Sequence, residues 1–240
     1  MTATRAVLFD VDFTLIYPGP MFRGEGYRAF AARYGMDIDA SKFEAGVASA
    51  APVLHSPNDV YDPEIFIAYT SHIIAQMGGT GPRIDECSRE IYDEWAACQH
   101  FELYDDVPSV LQQLFDAGVR VGLISNTHRC LDSFQSHFEL QGLISATISS
   151  SDHGRMKPHP SIFTAALQLL DVPAADALMV GDSLKHDVEG ALGVGMRAVL
   201  LNRGDSAAPA VAVARPGSEQ GDCRVPVIRS LRELPALLIG

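Results

Sequence analysis

Five short runs rich in β-branched and aliphatic residues, AVLFDV, VRVGLIS, ATISS, ALMVGD and RAVLLN, recur along the chain with helix-like stretches separating them. Runs that are apolar throughout, rather than alternating, mark strands buried on both faces. VPSVLQQLFDAG precedes the second run, PSIFTAALQLLDV the fourth and SLKHDVEGALGVG the fifth, each with apolar residues near helical spacing and most with a glycine stop. From about residue 105 onward this alternation predicts an α/β fold with a Rossmann-like, three-layer core, in which helices cover both faces of a parallel sheet.

The first run breaks the rhythm. Residues 21 to 99 hold no convincing strand but several helix-like segments, FRGEGYRAFAARYG, ASKFEAGVASAAPVL, PEIFIAYTSHIIAQMGG and IDECSREIYDEWAACQH. The punctuation YPGP at 17 to 20 and the stretch HFELYDDVP at 100 to 108 read as linkers into and out of an inserted helical domain. The expected division is a core of residues 1–17 and 104–240 with a helical cap of residues 18–103. Near the far end, DSAAPAVAVARPGSEQGD reads as a loop and RVPVIRSLRELPALL as a final short strand and helix.

A length of 240 residues suits one large domain or a domain with a sizeable insertion. With 47% hydrophobic and 20% charged residues the chain reads as soluble and globular. The net charge of −12 argues against nucleic acid and anionic membranes as partners, since both reward an excess of Lys and Arg. No apolar run is long enough for a signal peptide or a transmembrane helix. The four cysteines, Cys87, Cys98, Cys130 and Cys223, are scattered without a CxxC pair, so reduced thiols and a cytoplasmic setting are expected.

Ligands of open parallel sheets bind at the carboxyl ends of the strands, and several of these ends carry chemistry. The first run ends in DVDFT with Asp10 and Asp12, the second in ISN with Ser125 and Asn126, and the fourth in GDS with Asp182. GRMKPHP adds Lys157 ahead of the following helix. If extended geometry persists, Asp10 and Asp12 face the same way. Taken alone they fit turn caps that bond backbone amides. With Asp182 they suggest a divalent cation, for which Mg2+ and its preference for carboxylates, waters and phosphate is suited. An anionic ligand needs such a cation on so acidic a chain.

The set DVDFT, SN, MKP and GDSLKHD resembles the four motifs of the haloacid dehalogenase (HAD) superfamily, in the C1, subfamily IA-like branch with a helical cap after the first strand. The resemblance implies a phosphatase acting on a small phosphorylated metabolite through an aspartyl phosphate. It assigns Asp10 as nucleophile and Asp12 as acid and base. It places Ser125 and the Asn126 backbone on the phosphoryl oxygens, with Lys157 on both nucleophile and phosphate. Asp10, the Asp12 backbone carbonyl and Asp182 would hold Mg2+, with Asp187 orienting waters, Lys or Ser. A phosphomutase of the same family, or a binding protein that keeps the fold, are the alternatives.

Phe13 departs from the pattern, because many relatives have glycine there; a core contact under the cap is its plain structural role. A phosphonatase would need a Schiff-base lysine in the cap, and nothing around Lys42 requires that. Arg23 and Glu25 read as surface charges or as substrate contacts, His153 and His159 as loop residues without metal-ligand spacing, and Trp95 as packing.

Overall fold

The computed structural model describes residues 4–54, 56–204, 211–214 and 222–238. Its strands and helices run in chain order β1 (Ala6–Phe9), β2 (Ile16–Pro18), α1 (Gly24–Arg33), α2 (Phe43–Ala50), α3 (Pro63–Gln76), α4 (Ile84–Trp95), β3 (Phe101–Leu103), α5 (Val107–Asp116), β4 (Arg120–Ser125), α6 (Leu131–His137), β5 (Ala146–Ser149), α7 (Ser150–His153), α8 (Pro160–Leu170) and β6 (Ala177–Gly181). Then follow α9 (Gly190–Gly193), β7 (Arg197–Leu201), β8 (Val211–Ala214), β9 (Asp222–Val225), β10 (Val227–Ile228) and α10 (Leu234–Leu238). Two compact units result, Met1–Tyr17 with Leu103–Gly240, and Pro18–Glu102.

The first unit is built on a six-stranded sheet of order β10-β7-β6-β1-β4-β5, every pairing parallel. Strand β1 is central, with Ala6 opposite Arg120 of β4 and Ala177 of β6, and all four of its side chains are buried. A parallel sheet needs both faces covered. Helix α8 covers one with Ile162, Phe163, Ala166 and Leu170, in a cluster with Leu8, Ile124 and Met179. After β1 the chain builds outward through β4 and β5, and after β6 it builds the other way through β7 and β10. The order therefore reverses between β1 and β6, and that crevice is where open α/β sheets take their ligands.

The second unit holds α1 to α4, with α3 packed against both α2 and α4. Asp62 caps α3 by accepting from the Glu64 amide at 3.0 Å, with Pro63 in the first turn. Phe30, Ile73, Ile74, Met77 and Ile91 are buried there. Trp95 packs as expected, its ring 4.7 Å from Phe22 and 5.0 Å from Phe101. Among the described residues no helix is long and apolar enough to cross a membrane. Among the described residues Cys87, Cys98 and Cys130 are in no disulfide, and the Cys223 side chain lies outside the described residues.

Three expectations need correcting. SLKHDVEGALGVG is not one α-helix: Leu184–Glu189 forms a wide π turn before the short α9. Part of the loop expected over 205–222 is ordered, Val211–Ala214 pairing antiparallel with Asp222–Val225, while 205–210 and 215–221 lie outside the described residues. And the linker HFELYDDVP holds a buried anchor. Asp106, 1% exposed, accepts from Arg203 Nη1 and Nη2 at 3.1 and 3.0 Å, from Ser230 Oγ at 2.7 Å and from the Leu231 amide at 2.8 Å.

Burial alone would push the Asp106 carboxyl up, but Arg203 and the two donors on the last segment hold it below its ordinary value of 3.8. Its stabilisation is therefore complete above that value and is lost as the pH falls through the lower, folded one. Asp106→Ala leaves Arg203 without its carboxylate and should cost about 3 kcal/mol. The measurement is the urea midpoint at neutral pH, and the deficit should shrink in acid.

Candidate active site

The register of the sheet aligns its chemistry. Phe9 sits opposite Leu123 and Val180, so Asp10 begins just past β1, while Ser125 closes β4 and Asp182 follows β6. The Asp10 amide still donates to Val180 O at 3.0 Å, and the residue as a whole is 7% exposed. Lys157, 3% exposed, donates from Nζ to Asp10 Oδ1 at 2.5 Å and to Asp187 Oδ1 at 2.7 Å. One buried ammonium thus serves two buried carboxylates. Burial would lower the Lys157 pKa, but Asp10 and Asp187 hold it above its ordinary value.

Two neighbours fix that ammonium in place. Asn126 clamps the Lys157 backbone, accepting from its amide at 2.7 Å and donating to its carbonyl at 3.0 Å. The sequence reading gave Asn126 only a backbone role; its side chain also positions the lysine. Asp187 is held through its second oxygen, which accepts from the Ser183 amide at 3.0 Å. The π turn folds Asp187 back over the strand end, and π turns concentrate at functional sites. Nearby, His153 and His159 both meet Ser161 Oγ at 2.8 Å, which makes them loop-ordering residues.

Asp10, Asp182 and Asp187 form a cluster whose ligand oxygens all lie within 4.8 Å of one another. Desolvation, then the charges of Asp10 and Asp187, push Asp182 up to about 7. Asp10 is likewise raised by burial and by Asp187, against the pull of Lys157. Asp12 makes a fourth carboxylate; among the described residues these four are ion-paired with two cations, Lys157 and Arg129, leaving a formal excess of two negative charges. A divalent cation fits that excess and that oxygen donor set.

Asp12 does not continue the strand. β1 stops at Phe9, and a tight turn follows in which the Leu15 amide donates to Val11 O at 2.8 Å and the Phe13 amide to Ile16 O at 2.7 Å. The two aspartates reach different cations, because Asp12 Oδ1 accepts from Arg129 Nη1 at 2.8 Å. Burial raises the Asp12 pKa, and Arg129 opposes that. Phe13 takes φ 63° and is 46% exposed, so it is no core contact. Ser125 is 1% exposed, and its hydroxyl has no hydrogen-bond partner among the described residues. A buried polar atom without a partner is costly and points to a ligand that would supply one. Arg23 and Glu25 are exposed.

Arg129 was not found by sequence reading. It follows SN by three positions, and nothing in the spacing says that it is buried.

A parallel sheet thus carries a carboxylate-rich cluster, a shared lysine and a buried serine hydroxyl at its switch point. The chain matches the family described as haloacid dehalogenase-like hydrolase over residues 4–195, and it belongs to that family. The N-acylneuraminate-9-phosphatase of Rattus norvegicus is 29% identical, covering 99% of this chain and 95% of that protein. The ribulose-1,5-bisphosphate 5-phosphatase of Halopiger xanaduensis is 27% identical over 95% of this chain and 98% of its own length. In fold, the chain is similar to a HAD phosphatase from Thermococcus onnurineus, with a TM-score of 0.66, 24% identity and 99% of each chain covered. The chain is an enzyme of the hydrolase class, and these relatives, which span it nearly end to end, are phosphatases.

Gly181 allows the Asp187 carboxylate to reach the strand end. A Cβ at position 181 would lie 2.2 Å from Asp187 Oδ2. Gly181→Ala should expel that carboxylate, unbalance Lys157 and lower turnover by about tenfold or more. Gly193→Ala is the control, since a Cβ there meets nothing within 4 Å, and it should keep wild-type kinetics.

Proposed function

We propose that this phosphatase hydrolyses a small phosphomonoester with Mg2+, through an aspartyl-phosphate intermediate on Asp10. The observation that carries the reading is Lys157 Nζ on Asp10 Oδ1, which orients the Asp10 carboxylate; Oδ2 is the oxygen assigned to attack phosphorus. In the first half the Asp10 oxygen bonds to phosphorus as the ester P–O bond breaks, and Asp12 gives a proton to the leaving oxygen. In the second half Asp12 takes a proton from water, which attacks the aspartyl phosphate and returns free phosphate and Asp10. Ser125 Oγ and the Asn126 amide donate to the phosphoryl oxygens, where such donors are most valuable in the transition state.

Asp10, Asp182 and the Asp12 backbone carbonyl are the residues we assign to hold Mg2+, with Asp187 supporting from behind through Lys157. Bound there, the cation supplies positive charge to the phosphoryl oxygens of an otherwise acidic chain. The helical unit is assigned as the cap that selects the leaving group. The free thiols fit a reducing, cytoplasmic setting.

Phosphate release from a panel of sugar and other small phosphomonoesters tests the reading. Wild type with Mg2+ should release phosphate to water, EDTA should abolish release, and acid-quenched enzyme should carry a phosphoryl adduct. Asp10→Asn should lose at least about a thousandfold in kcat and show no adduct. Asp182→Asn should raise the Mg2+ concentration for half-maximal rate by about tenfold or more. A fully active Asp10→Asn variant, or phosphate passed to another hydroxyl rather than to water, overturns the reading.

A further inference from the structure

We infer that Arg129 is a positioning residue that holds Asp12 in the orientation from which it protonates the leaving group, an inference that rests on the acid role proposed for Asp12. Arg129 is the bulkiest of the wholly buried side chains, with no exposed side-chain surface. Guanidinium groups are rarely buried without an acidic partner. Among the carboxylates gathered at the sheet edge, Asp10 and Asp187 already meet Lys157, and Asp12 is the one on which Arg129 closes, at 2.8 Å.

The segment that carries Arg129 is itself tied down. The Arg129 amide donates to Thr127 Oγ1 at 3.1 Å, and Thr127 O accepts from the Ser151 amide at 3.2 Å. The guanidinium therefore reaches Asp12 from an anchored turn directly after the Ser125–Asn126 strand end. Being enclosed, it does not touch substrate. It acts through Asp12: by occupying Oδ1 it fixes the rotation of the carboxyl group and leaves Oδ2 as the oxygen that carries the proton. That proton passes from Oδ2 to the leaving oxygen as the ester P–O bond breaks and the Asp10–phosphorus bond forms; the water proton later returns to Oδ2.

A misdirected acid has a specific kinetic signature. An alkoxide leaving group needs the proton, whereas para-nitrophenolate leaves without it, and kcat/KM reports the first half alone, so Arg129→Met should lower kcat/KM for an alkyl phosphomonoester by about thirtyfold or more and for para-nitrophenyl phosphate by less than about threefold, while the shared second half slows kcat for both. Arg129→Lys keeps the charge but not the planar fork and should give a smaller split in the same direction. In an Asp12→Asn background, Arg129→Met should add less than about twofold, because the two residues act as one unit. Should Arg129→Met fail to fold, Arg129→Lys carries the test alone. Equal losses on both substrates, or full additivity with Asp12→Asn, overturn the inference. If Asp10→Asn is inactive and Asp12→Asn shows the leaving-group split while the Arg129 variants do not, the inference fails and the proposed function stands. If Asp10→Asn stays active, the proposed function fails first.

Discussion

One buried ammonium shared between two buried carboxylates is the interaction on which the site depends. Asp10 and Asp187 come from either side of the sheet's switch point, and at so short a separation neither charge is tolerable without Lys157. The requirement propagates outward. Lys157 must be held from behind, which Asn126 does through two bonds to its backbone. Asp187 must turn back onto the strand end, which takes the π turn and the missing side chain of Gly181. The cluster keeps a formal surplus of negative charge, which suits a divalent cation.

Much of this was legible because strand ends are legible. The apolar runs located β1, β4, β5, β6 and β7 to within a residue or two, and a parallel sheet brings their carboxyl ends to one edge. Asp10, Ser125 and Asp182 were therefore found by position, without any knowledge of contacts. What escaped reading depends on long-range pairing. Asp106 looked like a linker charge, yet it is buried by Arg203, Ser230 and Leu231, which lie about a hundred or more residues further along. Arg129 escaped for the same reason, since the carboxylate it meets lies 117 residues earlier in the chain. The wide turn at Leu184–Glu189 has a helical composition, so no local signal separates it from an α-helix. Helix α6 was missed because Leu131–His137 is short and its apolar face is slight.

Phe13 belongs with the local features, although its residue type argues against its conformation. Glycine would take φ 63° freely, whereas a bulky side chain there costs on the order of 1 kcal/mol. The turn from Val11 to Ile16 over-determines the angle through three amides bonded to Val11 O and one to Ile16 O. The substitution changes the cost of the turn rather than its path. It also leaves an exposed aromatic ring immediately after Asp12, where a glycine would leave bare backbone.

The position of β1 has a further consequence, for how the chain acquires its shape. Ala6 waits for Arg120 on one side and Ala177 on the other, so the strand that precedes Asp10 is unpaired until β4 is made and keeps one open edge until β6 is. At ribosomal speeds of 5–20 residues per second, β6 follows β1 by roughly 10–30 s. Before β4 arrives the helices of residues 18–102, whose contacts are sequence-local, can form, while the apolar segment AVLF has no sheet to enter. Placing Asp10 at the end of the central strand thus makes its site a late product of assembly, and leaves an open apolar strand edge to chaperones and to neighbouring chains until β6 arrives.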